Sequence, residues 1–312
     1  MAGISSISYR KLCESFGAAL TFTEMVSAKA ITMKDKKTFS ILTTKLAFDG
    51  LEYDKDAKTG IQLFGHDEKI ISEAIKILDE KYGNEYFLYD INMGCPVPKI
   101  VKNLEGSALL KDLKLAEKII RNSVKATIKP ISVKMRLGFD KENINLEETI
   151  KRFEAAGASL ISIHGRTRDQ FYKGKSDNEM VAKIKNKVNP KIPIAISGDI
   201  FSAETALRMI KDFNFNYIII ARGSIGRPWI FEDCIRKKNG KRLEDKNLDY
   251  IKKIFLLHLD MLISEKGESV SVKEIRKFIG YYFKGQRGVK ELKNSINKSR
   301  EVKEIKEKIN LL

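Results

Sequence analysis

The segment FLYDINMGCPVPKI, residues 87–100, places a cysteine directly after a run of apolar residues. The apolar start predicts a buried parallel strand, Gly94 permits a turn, and Pro96 and Pro98 oppose an immediate helix. Cys95 is therefore predicted at a strand end, where its thiol could donate a proton or, once deprotonated, act as a nucleophile. The alternative is a packed cysteine, since free cysteine is among the most buried residue types.

A lysine and a histidine end two later apolar runs. Lys134 lies in SVKMRLG and His164 lies in ISIHGRTR. A cation and an imidazole on neighbouring strands suit an electron-rich ring system, such as a reduced flavin that carries negative charge. The chain has only three histidines. Because a multi-histidine metal centre is hard to assemble from so few, we expect no metal site.

A glycine-containing turn follows the last apolar run, in YIIIARGSIGRPWIF at 217–231. Backbone N–H groups at Gly223 and after it, with Arg222 beside them, could bind a phosphate. Gly198 and Asp199 supply a matching loop from the preceding run. In barrels the loops after strands seven and eight are the usual phosphate site. An ordinary strand-to-helix loop is the alternative.

Short apolar runs alternate with helix-like stretches over the first 230 residues. The runs with strand character are 20–26, 59–64, 87–91, 130–135, 160–163, 193–196 and 217–221. This alternation predicts right-handed βαβ units and a parallel sheet. Polar residues end almost every run, which is where a barrel builds its site. The sequence therefore predicts an α/β fold, a (β/α)8 TIM barrel.

Seven strands are visible, and the first readable helix, at 5–16, precedes all of them. A complete barrel needs one more strand upstream of Met1, so either the sheet is open or the first barrel strand is truncated. We favour the truncated barrel, and a start assigned too far downstream would look the same. Without that strand two edges are unpaired, so we expect lower stability and looser cofactor binding than in a version extended upstream.

The chain is strongly basic, with a formal net charge of +17 from 58 Lys and Arg against 41 Asp and Glu. Residues 233–312 hold 21 of these basic residues and 12 of the acidic ones. This region is therefore the more basic per residue, which indicates an anionic partner, with nucleic acid the leading class. The alternative is a lysine-rich proteome that decorates every surface.

After Ile230 the apolar spacing becomes helical, over 249–264, 270–283 and 288–310. We expect two domains, a barrel over 1–232 and a basic helical domain over 233–312. Apolar runs stay below the roughly 18–20 residues that cross a bilayer, and three scattered cysteines suit a reducing compartment. We expect a cytoplasmic monomer that binds no membrane.

Eight segments, taken in order, resemble the tRNA-dihydrouridine synthase family, with the closest similarity to its bacterial B-type members. They are MAGISSISYRKLCESFGA, TEMVSA, GIQLFG, INMGCPVPKI, SVKMRLG, IHGRTRDQFYKGKSD, SGDI and ARGSIGRPWIF. The element NMGCP with a downstream IHGRT is the most specific of them. The basic helical region corresponds to the RNA-binding helical domain of that family.

The resemblance implies an FMN-dependent enzyme that reduces particular uridines in tRNA to 5,6-dihydrouridine, with NADPH or NADH as electron source. It implies that Cys95 is the proton donor. By family pattern the FMN contacts are Met1, Ala2, Gln62, Lys134, His164, Ser197, Gly198, Asp199, Ala221, Arg222 and Gly223. The implied uridine or RNA contacts are Asn92, Arg136, Arg166 and Lys173.

Two positions depart from the family pattern. The chain starts at Met1-Ala2-Gly3, where family members have a strand and a Pro-Met-Ala-Gly turn. Ser197 replaces the usual asparagine before Gly198, which weakens one polar contact to the cofactor. Two alternatives stay open: an FMN barrel that acts on a small molecule, as dihydroorotate dehydrogenase does, and an RNA-binding protein with impaired catalysis.

Overall fold

The computed structural model describes residues 1–43, 46, 48 and 57–312. The strands are β1 (Leu20–Phe22), β2 (Val26–Ser27), β3 (Lys58–Phe64), β4 (Leu88–Met93), β5 (Ile131–Arg136), β6 (Leu160–His164), β7 (Ile194–Ser197) and β8 (Tyr217–Ile219). The helices are α1 (Ile7–Ser15), α2 (Ala28–Thr32), α3 (Lys36–Ile41), α4 (Glu68–Tyr82), α5 (Pro98–Lys102), α6 (Leu113–Ala126), α7 (Leu146–Ala155), α8 (Asn178–Val188), α9 (Ala203–Lys211), α10 (Ile230–Lys238), α11 (Leu248–Lys266), α12 (Glu268–Tyr282), α13 (Val289–Lys298) and α14 (Val302–Asn310). Short 3-10 turns cover Gly83–Glu85, Gly106–Lys111 and Arg222–Ser224.

All strand pairs are parallel, in the order β1-β3-β4-β5-β6-β7-β8. Strand β2 also pairs with β3, just beyond β1, so β1 and β2 together fill one barrel position. In the described residues β1 and β8 are the two ends of the sheet. The predicted α/β architecture, a TIM-barrel-like parallel sheet followed by helices, is confirmed.

The register separates a polar face of the sheet from an apolar one, because residues paired in neighbouring parallel strands point to the same side. One such row joins Asn92, Lys134 and Ser162, and the next joins Arg136, His164 and Ser197. The opposite face carries Ile91, Val133, Met135, Ile161, Ile163 and Ile196, all fully buried in the main hydrophobic core. The polar face is therefore the inner one, and the helices cover the apolar face.

Helix α4 illustrates how the outer layer of helices forms. The Asp67 carboxylate accepts the N–H groups of Lys69 and Ile70 and so caps the start of α4. One face of α4 then buries Ile71, Ala74, Ile75 and Leu78 against the sheet. Because a helix between two parallel strands runs back along the sheet, each helix starts near the carboxyl edge of the sheet and ends at the amino edge.

One helix prediction is wrong. Pro98 was expected to oppose a helix, yet α5 begins at Pro98, since the first helical position needs no N–H and suits the fixed φ of proline. The helical spacing over 288–310 covers two helices, α13 and α14. They are separated at Ser299, whose backbone is extended and whose carbonyl accepts a hydrogen bond of 2.6 Å from Arg276.

A second hydrophobic core lies among α11–α14 and includes α1. Tyr9 and Leu12 of α1 pack there with Trp229 and Phe255. The Tyr9 hydroxyl donates to the carbonyl of Ser224, in the turn after β8. The helical region is thus joined to the carboxyl edge of the sheet. No helix in the described part of the chain combines the length and the apolar character needed to cross a membrane.

Candidate active site

Asp90 organises the inner face at the middle of β4. Its carboxylate accepts hydrogen bonds from the Ser132 hydroxyl at 2.6 Å and from the Gln62 amide at 2.7 Å. Burial raises the pKa of Asp90, while the two hydrogen bonds and the Lys134 charge oppose the rise. Asp90 therefore fixes the orientation of Gln62, a predicted cofactor contact.

Asn92 links Gln62 to the turn that carries Cys95. Its amide nitrogen donates to the Gln62 carbonyl oxygen at 3.0 Å and lies 3.8 Å from the sulfur of Met25. Its side-chain oxygen accepts the N–H groups of Gly94 at 3.1 Å and Cys95 at 2.9 Å. Because sulfur is a weak acceptor, the amide hydrogen that Asn92 directs at Met25 is available for exchange to a stronger acceptor on a ligand.

Cys95 is half-buried at the carboxyl edge of the sheet. The backbone N–H and the hydroxyl of Ser107 both donate to the Cys95 carbonyl, at 3.1 and 2.8 Å. Burial raises the pKa of the Cys95 thiol, against the opposing effects of the Val97 N–H and the Arg136 charge. The thiol is thus protonated at neutral pH, which suits a proton donor better than a nucleophile.

Lys134 extends from β5 towards β7. Its ammonium donates to the Ser197 hydroxyl at 3.0 Å, and Ser197 in turn lies 3.3 Å from the carbonyl of Ile163. Burial lowers the pKa of Lys134 to about 8; Asp90 opposes this effect and Arg136 adds to it. Within the described residues Lys134 forms no ion pair, so its charge can serve a bound ligand.

His164 is neutral. Burial lowers its pKa to about 2, and the charges of Lys134, Arg136, Arg166 and Arg222 act in the same direction. Its Nε2 lies 3.1 Å from a guanidinium nitrogen of Arg166. Since a guanidinium can only donate, Nε2 must accept, and the ring proton is assigned to Nδ1.

Asp199 holds two arginines beside the loop after β7. It accepts two hydrogen bonds from Arg166, at 3.0 and 2.6 Å, and one from Arg222 at 2.9 Å. Burial raises the pKa of Asp199, but the hydrogen bonds from Arg166 and the Ser176 N–H outweigh it and hold the pKa below its ordinary value. The Asp199 carboxylate therefore holds these two arginines in position, and it is not free to bind a positively charged group of a ligand.

The backbone of the same loop is unusual. Gly198 has a φ of +110°, and a Cβ there would lie 2.3 Å from the hydroxyl oxygen of Ser176. Asp199 has a φ of +54°. Within the described part of the chain the N–H groups of Gly198 and Asp199 donate no hydrogen bond. Two such N–H groups beside Arg222 can bind an anion.

Arg136 and Arg166 are buried, and both donate to backbone carbonyls, Arg166 in addition to its two hydrogen bonds to Asp199. Arg136 donates to the carbonyls of Gly94, Thr167 and Phe171 at 2.9, 2.9 and 3.0 Å. Arg166 donates to the carbonyls of Lys173 and Gly174, at 3.1 and 2.7 Å. Both side chains therefore fix the loops after β4 and β6. The side chain of Lys173 itself is exposed.

The remaining predicted contacts lie at the margin. Gly223 is buried, and a Cβ there would lie 2.1 Å from the Ile200 carbonyl oxygen, so only glycine fits. Ala221, two residues before Gly223, is half-buried. Met1 packs against the second hydrophobic core, and Ala2 is exposed.

Sequence reasoning missed several residues that build the site. They are Asp90, Ser132, Tyr172, Ser176 and Asn178. An acidic residue inside an apolar strand was an available signal for Asp90. The exposed ring of Tyr172 lies 4.5 Å from the Arg222 guanidinium carbon, a contact that no sequence spacing indicates.

The charge balance of the site favours an anion. Four cationic side chains converge on His164, and the carboxylates among them are Asp90, whose pKa is raised, and Asp199. Positive charge is therefore in excess at the carboxyl edge. A phosphorylated ligand with an electron-rich ring would balance that excess and occupy the free donors.

The chain resembles known proteins over its whole length. The family model described as dihydrouridine synthase matches residues 1–312. The probable tRNA-dihydrouridine synthase of Rickettsia conorii is 32% identical over 310 residues, which are 99% of this chain and 90% of that protein. The tRNA-dihydrouridine synthase B of Pseudomonas aeruginosa is 33% identical over 299 residues, 96% of this chain and 86% of that protein.

A solved structure shares the fold at low sequence identity. Histamine dehydrogenase from Rhizobium sp. 4-9 superposes with a TM-score of 0.56 at 14% identity, over 83% of this chain and 46% of that one. The fold agreement supports the barrel, and the sequence matches identify the group. This chain belongs to the dihydrouridine synthase family.

Proposed function

We propose that this protein reduces uridines in tRNA to 5,6-dihydrouridine, with FMN bound at the carboxyl edge of the sheet and NADPH or NADH as electron source. The names of its relatives give the reaction. The observation that carries the proposal is the Cys95 thiol, held protonated beside an inner face that has an excess of positive charge. That combination pairs a proton donor with a site for an anionic cofactor.

The inner face fits FMN. Lys134, Gln62 and neutral His164 offer a cation, an amide and an imidazole for the ring system. The phosphate would take the free N–H groups of Gly198 and Asp199 together with Arg222. Ser197, Ala221, Gly223, Met1 and Ala2 complete the proposed contact set. In this scheme Asp199 acts through its backbone and by orienting Arg222.

Reduced FMN held at this site would supply hydride chemistry towards C6 of the uracil ring. Cys95 would deliver its proton to C5, since the raised pKa of the half-buried thiol keeps it protonated at neutral pH. The available amide hydrogen of Asn92 can orient a uracil carbonyl. Lys134 stabilises negative charge in the site.

The predicted RNA contacts divide into two kinds. Arg136 donates to protein carbonyls, and Arg166 donates to carbonyls and to the Asp199 carboxylate, so we assign both the shaping of the loops. We assign contact with the nucleotide to Asn92 and the exposed Lys173. The target base must leave its stack to reach them, which costs a few kcal/mol that phosphate contacts elsewhere offset.

We assign those distant phosphate contacts to the basic helical region, residues 233–312, and catalysis to residues 1–232. The second hydrophobic core extends across this proposed domain boundary. Tyr9 and Trp229, from the first domain, pack in it with residues of α11 and α12. A soluble tRNA substrate is consistent with a cytoplasmic monomer.

The decisive experiment measures flavin and product together. The purified protein should show the absorbance bands of bound FMN and should form dihydrouridine, detected by mass spectrometry, in an unmodified tRNA transcript supplied with NADPH or NADH. Bound flavin with no tRNA binding would favour the small-molecule oxidoreductase. Binding of tRNA without flavin or product would favour the catalytically impaired RNA-binding protein.

A further inference from the structure

Two cations share one aromatic ring on the loops beside the active site. The Lys111 ammonium lies 4.8 Å from the ring centroid of Phe139, and the Arg168 guanidinium carbon lies 5.1 Å from the same centroid. Phe171 is a second ring near Arg168, at 5.7 Å. We call Lys111, Phe139 and Arg168 the rim cluster. Cation–π contacts of this kind hold the stems of both side chains in place.

The rim cluster is attached to the catalytic residues through three chain segments. Lys111 ends the 3-10 turn whose Ser107 donates to the Cys95 carbonyl. Phe139 follows β5 and its Arg136 closely. The N–H of Arg168 donates to the carbonyl of Gly138 at 3.1 Å, just after the buried Arg166. All three segments follow strand ends, so the cluster lies at the carboxyl edge of the sheet.

Neither cation has an anionic partner among the residues that the structure describes. The carboxylates next in sequence accept other hydrogen bonds: Asp112 from the N–H of Leu115 at 3.0 Å, Asp140 from the N–H of Asn143 at 2.9 Å, and Asp169 from the hydroxyl of Thr167. The Nε of Arg168 is buried and has no hydrogen-bond acceptor. The buried Nε is out of reach of a ligand, so an anion would be bound by the Lys111 ammonium and the terminal N–H groups of Arg168.

We propose that the rim cluster is a subsite for the RNA backbone, where Lys111 and Arg168 bind phosphates next to the reacting nucleotide. The inference rests on the proposed function, because a nucleotide that enters this edge brings its flanking phosphodiesters with it. It adds a contact on the barrel itself, separate from the basic helical region. Guanidinium and ammonium groups on loops anchored to Cys95 and Arg136 would fix the register of the strand over the site.

The test compares binding of an unmodified tRNA transcript to the full-length holoprotein and to K111A, R168A and the double variant. For each variant that loses a phosphate contact, the slope of log affinity against log salt should become shallower by about 1. The KM for tRNA should rise, while kcat at saturating tRNA and the flavin absorbance stay at wild-type values. The matched control is K125A, an exposed lysine at the last turn of α6 and so at the amino edge.

Two outcomes overturn the inference. One is a double variant with wild-type affinity and wild-type salt slope. The other is a loss in K111A and R168A that K125A reproduces. Lys111 is exposed, so K111A tests the subsite even where R168A disturbs the loop. If the affinity of the wild type for tRNA falls steeply with salt and the variants behave in the same way, only the subsite proposal is refuted. If the wild type neither binds tRNA nor forms dihydrouridine, the proposed function fails with it.

Discussion

The inner face of the sheet and the core of the helical region each hold a histidine whose pKa is lowered mainly by burial, but the charges around the two rings differ. His164 is kept neutral by burial together with four surrounding cations. His258 is kept neutral almost wholly by burial, which lowers its pKa to about 3. It packs edge-on against Phe278 at 4.6 Å, its Nδ1 is 3.3 Å from the Tyr282 hydroxyl, and its Nε2 has no described partner.

The comparison distinguishes a histidine that packs in a hydrophobic core from one that lies in the candidate active site. In the helical core a neutral ring among aromatic side chains needs nothing further, so His258 behaves as a core residue. At the carboxyl edge four cations add to the effect of burial on His164, and an anionic ligand would relieve that excess of positive charge. Changes at the edge should therefore affect ligand binding and turnover, whereas changes in the helical core should affect stability alone.

The largest expected effect is on turnover. Cys95→Ala removes the proposed proton donor without touching the cations that bind cofactor and RNA. Dihydrouridine formation should fall by about 10²–10⁴-fold, with flavin content and tRNA affinity retained. The matched control is Cys234→Ala, a half-buried thiol on α10 whose loss should leave the rate unchanged. Full turnover by Cys95→Ala would refute the proton-donor role.

The next effect is on stability at the edge. Asp199→Asn leaves the buried Arg166 without its anionic partner. We expect a loss of about 2–3 kcal/mol in the free energy of unfolding of the flavin-free protein, below the roughly 3–5 kcal/mol of a fully buried pair because Asp199 is partly exposed. Glu179→Gln, which breaks an exposed pair with Arg208, should cost under about 1 kcal/mol. Equal urea midpoints for the two variants would contradict this role of Asp199.

A smaller effect follows from the helical core at acid pH. The unfolded chain protonates His258 near pH 6.5, and the folded chain does so only near pH 3. The unfolded state thus binds more protons in that window, and stability falls as the pH drops, by about 1.4 kcal/mol per pH unit for each such histidine. In His258→Phe, urea unfolding from pH 6.5 to 4.5 should show a flatter dependence by that amount. An unchanged dependence would mean that His258 is protonated in the folded protein.

Much of the fold could be predicted from the sequence. The strands followed the apolar runs closely: Leu88–Met93 corresponds to the run at 87–91, and Ile131–Arg136 to the run at 130–135. The alternation of polar and apolar residues inside the strands is a further signal, since SVKMR places Ser132, Lys134 and Arg136 on one face. Polar residues at alternate positions of a strand covered on both sides indicate a polar interior. That signal identifies Asp90 as well.

Other features depend on contacts between distant segments. No local sequence feature shows that Arg136 donates to loop carbonyls, that Arg166 pairs with Asp199, or that two cations contact the ring of Phe139. The packing of α1 into the helical core joins residues more than 200 positions apart, as in the hydrogen bond from Tyr9 to Ser224. Periodicity reports which face of an element is buried but not which partner covers it.

The most direct test of the central claim is an FMN titration of the flavin-free protein at pH 7 and pH 9, followed by flavin fluorescence. Because the pKa of Lys134 is about 8 without ligand, part of its charge is lost at pH 9, and the affinity should fall by up to about tenfold. Lys134→Met should bind FMN more weakly at pH 7 and show little change between the two pH values. Equal wild-type affinity at both pH values, or no FMN binding at all, would contradict an anionic cofactor held by the charged inner face.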